Sequence, residues 1–192
     1  VRRALFLAID RRAFIATALE GNGLVGAPMP SRGPWGIPED DLLKMPGYRQ
    51  PKDADIAEAK KLLAEAGFPD GFATSVMTRA DATYQKYGTF ILAELAKLGI
   101  KGELLLRVTA AFEDALIKGA FDMMAHSEAT ALDDPDLRFG DFYISRGGRN
   151  YGKYSNAKID ELFEQQSRAL DVNERKKLVR EMQTIILQEN PD

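Results

Sequence analysis

FATSVMTRADATYQKYGTFILAELAKLGIKGELLLRV, residues 72–108, decides the fold. Phe72 to Thr78 reads as a short strand. Tyr84 to Leu98 then carries Tyr87, Ile91, Leu92, Leu95 and Leu98 at helical spacing, Gly99 stands where a helix stops, and Ile100 to Val108 is extended again. Downstream, Phe112 to Lys118 has the pattern of a helix and Phe121 to Ser127 that of a third strand. Asp134-Pro135 opens a further helix over Asp136 to Ile144, since proline suits the first helical turn. Strands alternating with helices at this spacing predict an α/β layer with crossover connections, a sheet flanked by helices. Ligands of such sheets sit beyond the carboxyl ends of the strands.

Upstream, Asp53 is an N-cap candidate for a helix through Ile56, Ala59, Leu62, Leu63 and Ala66, with Gly67 at the usual C′ position. Residues 1–20 show helical apolar spacing from Leu5 to Leu19, as one helix or two. Between them, six glycines and six prolines from Gly21 to Pro51 break every period, so 21–51 is expected to be a long loop. Met29, Trp35, Ile37, Leu42, Leu43 and Tyr48 make it too apolar for disorder, and it should pack on the body as an ordered segment. The tail holds a helical pair, Ala157 to Ala169 and Asn173 to Glu189, with Asp171 and Asn173 as cap candidates.

A chain of 192 residues buries about 70% of its extended surface, enough for a real core, and a single lobe over 1–192 is expected. The net charge of −3 supplies no broad cationic face, which argues against nucleic acid or an anionic membrane as partner. Without cysteine there is no disulfide frame, thiolate zinc site, iron–sulfur cluster or cysteine nucleophile. No run of about 18 apolar residues occurs, and the opening Val1-Arg2-Arg3-Ala4-Leu5 lacks the layout of a signal peptide. Neither glycine-rich phosphate loops nor a Gly-x-Ser-x-Gly elbow is present, so no cofactor is implied. Val1 lies inside a helix pattern and Asp192 follows Asn190-Pro191 without a closing signal; both suggest an excised piece.

The densest polar cluster is His126-Ser127-Glu128 with Asp133-Asp134-Pro135-Asp136. A hydrolase would use His126 as base with Ser127 or Asp133, but adjacent residues on an extended strand point to opposite faces. A metal site would recruit His126, Glu128 and Asp133, a set without recognised spacing. More simply, His126 is a hydrogen-bonded strand-end residue and Asp134 a helix cap. Arg79 follows the first strand, where its guanidinium either receives a carboxylate ligand in bidentate fashion or is merely solvated. Trp35, between Pro34 and Gly36, either walls a pocket or pins its loop to the core.

Several phrases in order resemble the family 5 extracytoplasmic solute-binding proteins of ABC importers, which serve oligopeptides, dipeptides, nickel chelates and related solutes. They are Val1-Arg2-Arg3-Ala4-Leu5 with Ala8-Ile9-Asp10-Arg11, Pro34-Trp35-Gly36, Ala59 through Phe72, Leu95-Ala96-Lys97-Leu98-Gly99-Ile100, Gly119 through Met123, Asp134-Pro135-Asp136, Asn150-Tyr151, and Asp171 with Glu174-Arg175-Lys176. The resemblance implies a periplasmic-binding-protein-like lobe with a mixed sheet, the later lobe of a two-lobed receptor whose first lobe is missing. It also implies a periplasmic or extracellular location, with lipoprotein tethering of the full-length form an option, and membrane permease subunits as partners. Solute is then enclosed between lobes, and no bond is broken.

Peptide-binding relatives place a Trp and an acid just after the strand equivalent to Phe121–Ala125. Here the Trp is missing and the register differs, so Glu128 or Asp133 stands in for the acid without assignment by motif. The expected ligand-binding set is Trp35, Arg79, His126, Ser127, Glu128 and Asp133, with a peptide as first solute and a nickel chelate or sugar as alternatives. An uncovered cleft face would also expose apolar surface and favour self-association of the fragment.

Overall fold

The computed structural model describes residues 1–189. In chain order the elements are α1 (Arg2–Ala8), α2 (Arg11–Ala18), α3 (Glu39–Leu42), α4 (Asp53–Glu65), β1 (Ala73–Arg79), α5 (Ala82–Ala96), β2 (Lys101–Arg107), α6 (Thr109–Lys118), β3 (Met123–Met124), α7 (Pro135–Phe142), α8 (Ala157–Arg168) and α9 (Val172–Glu189). Contacts divide the chain into two compact units. One joins Val1–Gly23 to Leu43–Glu128; the other joins Leu24–Leu42 to the chain from Ala129 onward.

The first unit is the α/β layer. Its strands lie in the order β2-β1-β3, with Val76 opposite both Leu104 and Met123. Among the described residues the sheet is parallel throughout rather than mixed. Helix α5 carries the chain from β1 back to the start of β2, and α6 from β2 to β3, so every strand restarts at the same end. Asp81 begins α5 by accepting from the backbone N–H groups of Thr83 and Tyr84 at 3.0 and 3.1 Å. Gly99 ends the turn after α5 at φ +79°, where a Cβ would stand 2.7 Å from the Asp70 carbonyl oxygen; only glycine fits both demands. The core gathers Ala4, Leu7 and Ala8 of α1, Ala59 and Leu63 of α4, Val76 of β1, Leu95 of α5, and Leu98, Ile100 and Ala125.

Residues 1–20 form two helices because Asp10 caps the second, accepting from Arg12 and Ala13 N–H, both at 3.0 Å. At α4 the cap position falls to Lys52, and Asp53 becomes the first helical residue, where a carboxylate suits the helix dipole. The third strand is far shorter than Phe121–Ser127. At its start Asp122 turns aside to accept from Ser75 N–H at 3.1 Å and Ser75 Oγ at 2.7 Å. At its end Ala125 adds one ladder bond to Met77 O, 2.9 Å, before the chain leaves the sheet.

The second unit packs Phe139 and Tyr143 with Ile159 and Leu162 of α8 and Val179, Met182 and Ile186 of α9. Asp134, Asn156 and Asp171 cap α7, α8 and α9 in turn. Segment 24–42 joins this core through Met29 and Trp35. Wholly buried Gln183 holds both: its Oε1 accepts from Met29 N–H at 3.3 Å, and its Nε2 donates to Trp35 O at 2.9 Å. Gln183→Leu strands both backbone groups and is expected to cost about 1–3 kcal/mol. Urea unfolding followed by the fluorescence of the sole tryptophan checks this; an unchanged midpoint would refute the clamp.

Candidate functional site at the carboxyl edge of the sheet

Parallel strands bring their carboxyl ends to one edge, so the residues just beyond β1 meet those just beyond β3. Thr78, fully buried, fixes that meeting by donating from Oγ1 to Ala125 O at 2.8 Å. Arg79 and His126 are the next residues on each side.

Two rings, Tyr84 and Phe112, flank both the imidazole and the guanidinium. His126 lies 6.0 Å from Tyr84, nearly parallel at 27°, and 5.1 Å from Phe112, centroid to centroid. Its Nε2 stands 3.2 Å from Glu128 Oε1 with both side chains largely buried. The Arg79 guanidinium carbon is 5.2 Å from the Tyr84 ring and 5.4 Å from Phe112, within cation–π range. Its Nη2 donates to Glu113 Oε1 at 2.5 Å. Ser127 Oγ and Tyr84 OH share a hydrogen bond of 2.6 Å.

The edge therefore presents a cation, two carboxylates, two hydroxyls and an imidazole on an aromatic floor, suited to reversible binding of a polar, charged solute. Among the described residues no group of three or more His, Asp or Glu side chains is placed to hold a metal ion. None of the described helices is long and apolar enough to cross a membrane.

Of the expected residues, the structure brings Arg79, His126, Ser127 and Glu128 together in the first unit; Trp35 and Asp133 belong to the second. Trp35 is half-buried on that unit's core with the Arg175 guanidinium 4.7 Å from its ring. Asp133 is exposed and lies against Gly33, where an added Cβ would run into its carboxylate. The sequence reading misses Tyr84, Phe112 and Glu113. Tyr84 sits in the first turn of α5, Phe112 and Glu113 in the amino-terminal half of α6, and a signal exists: helices that come after parallel strands start at the ligand edge.

The model of the bacterial extracellular solute-binding proteins, family 5 Middle, matches residues 1–150. The chain belongs to this family. As a family 5 protein it is 28% identical over 202 residues to the glutathione-binding protein GsiB of Salmonella paratyphi A, covering 100% of this chain and 38% of that protein. The ABC transporter-associated periplasmic binding protein DppA from Helicobacter pylori, in complex with peptide STSA, superposes with a TM-score of 0.76 at 25% identity, covering 99% of this chain and 36% of that one. Haemophilus influenzae OppA in complex with RPPGFSPFR gives a TM-score of 0.84 at 23% identity over 100% of this chain and 38% of OppA, a likeness of fold. The chain thus spans about 38% of the length of the curated relatives it matches.

Proposed function

We propose that residues 1–192 are the later lobe of a two-lobed receptor that captures a small polar solute, a peptide first of all, and presents it to the permease of an ABC importer. The observation that carries this is the cluster of Arg79, His126, Ser127 and Glu128 at the carboxyl edge of a parallel sheet. Membership of family 5 and the peptide and glutathione named for its relatives support it. The missing first lobe supplies the other wall, the receptor works in the periplasm or at the cell surface, and closure around solute replaces chemistry.

Within this scheme Arg79 receives a solute carboxylate and Glu128 a solute ammonium, while His126 and Ser127 add hydrogen bonds. Trp35 and Asp133, which belong to the second unit, are given no role in this set. Calorimetry of the full-length receptor with trialanine, a monosaccharide and a nickel chelate tests the solute class. Trialanine is expected to bind, and binding of the sugar or the chelate alone would overturn the peptide assignment. Glu128→Gln is expected to weaken trialanine about 10- to 100-fold through the lost charged hydrogen bond, and N-acetyl-trialanine hardly at all.

A further inference from the structure

The donors of Arg79 are unequally used. One guanidinium nitrogen, Nη2, is committed to Glu113, whereas Nε is buried and has no acceptor. The strong carboxylate–guanidinium geometry is side-on, with two parallel N–H···O bonds, and the contact with Glu113 uses only one of the donors such a pair would engage. Glu113 neutralises the charge while a buried donor stays unsatisfied, so this pairing is not the best that Arg79 can make. Glu113 lies midway along α6 with its side chain 40% exposed, free to turn to water when displaced.

We propose that Glu113 is a built-in competitor for the solute carboxylate at Arg79: it parks the guanidinium in the empty receptor and yields to a solute that satisfies both Nε and Nη2. This rests on the proposal that Arg79 receives carboxylates. The exchange substitutes one anion for another at the guanidinium, while the displaced Glu113 carboxylate stays on α6 and is hydrated, so affinity is set by geometry as well as by charge. Solutes without a carboxylate gain nothing by displacing Glu113, so the contact tempers the affinity for carboxylates and leaves that for neutral solutes unchanged.

The test uses this chain and the Arg79 Nε–Hε nuclear magnetic resonance signal, assigned by its loss in Arg79→Lys. Acetate is titrated against chloride at constant ionic strength, with acetamide as control. Glu113→Gln, and Glu113→Ala as a second variant, are expected to lower the acetate concentration at half-maximal shift about two- to fivefold, the weight of one partly exposed ion pair. Equal midpoints in the wild-type chain and both variants would overturn the competitor role while leaving Arg79 as a carboxylate receiver. No shift with acetate in any of the chains, or an equal shift with acetamide, would overturn the role of Arg79 itself and the competitor with it.

Discussion

Asp55→Ala is expected to lower the stability of the first unit by about 3–5 kcal/mol, the cost of stripping one partner from a buried ion pair. Asp55 has no exposed surface, and both of its oxygens are occupied. Oδ1 accepts from Arg49 Nε at 2.6 Å, and Oδ2 accepts from Gly47 N–H at 3.0 Å and Lys52 Nζ at 2.8 Å. The Gly47 carbonyl in turn accepts from Lys52 Nζ at 3.0 Å and from Arg11 Nη1 at 2.8 Å. Arg11 itself is clamped between the Phe6 and Tyr48 rings, 4.3 and 4.4 Å from their centroids. Burial pulls the Arg11 guanidinium below its usual range and pushes the Tyr48 hydroxyl above its own, so the hub is low in dielectric and its carboxylate is the anion that balances it.

The variant should also acquire a pH signature. Burial already holds the Lys52 ammonium below its ordinary value of 10.5, against the attraction of Asp55. Without Asp55 the folded-state value falls further, the unfolded chain binds the proton more tightly, and stability must rise as pH climbs toward the unfolded value. Asp55→Asn, which keeps an acceptor for Gly47 N–H, should lose less than Asp55→Ala. By contrast the exposed pair Lys118–Asp114 should change stability by under about 1 kcal/mol when broken. Urea unfolding from pH 6 to 10 measures all of these; a loss below about 1 kcal/mol for Asp55→Ala would refute the hub.

That hub shows where sequence reading stops. Its members Gly47, Arg49, Lys52 and Asp55 are close in sequence, but Gly47 and Arg49 end the glycine- and proline-rich stretch while Lys52 and Asp55 begin α4, so no one period links them, and Arg11 arrives from another element. What a period does encode is legible: Leu95 and Leu98 facing inward, Gly99 as a stop, Asp134 as the cap of a helix starting at Pro135. Strand β3 is overdrawn in the sequence because Phe121-Asp122-Met123-Met124-Ala125 has the apolar texture of a strand, while Asp122 prefers the Ser75 amide and hydroxyl. At the site, the strand-end residues Arg79 and His126 are visible from the α/β pattern alone. Tyr84, Phe112 and Glu113 are less so, because aromatic and charged residues in the amino-terminal half of a helix look like core or solvated face until the sheet's register sets which end of the helix is which.

Arg79→Met is expected to reduce the affinity of the full-length receptor for trialanine about 10- to 100-fold, the usual loss for a charged hydrogen bond at a binding site, and to leave trialaninamide little changed. Methionine keeps the apolar stem that Arg79 lays along Tyr84 and Phe112, so the aromatic floor survives while the fork is lost. Glu113 loses its partner but is exposed enough to be hydrated, and the thermal midpoint should therefore move little; the affinity change then belongs to the site and not to folding. Arg79→Lys separates charge from geometry: an ammonium restores the cation without the planar fork and should recover only part of the affinity. Titration calorimetry of the two variants with the peptide and its amide decides the matter. If Arg79→Met weakens acid and amide alike, the guanidinium shapes the pocket without meeting the carboxylate. If Arg79→Lys binds trialanine as tightly as arginine does, the two-donor geometry carries no weight.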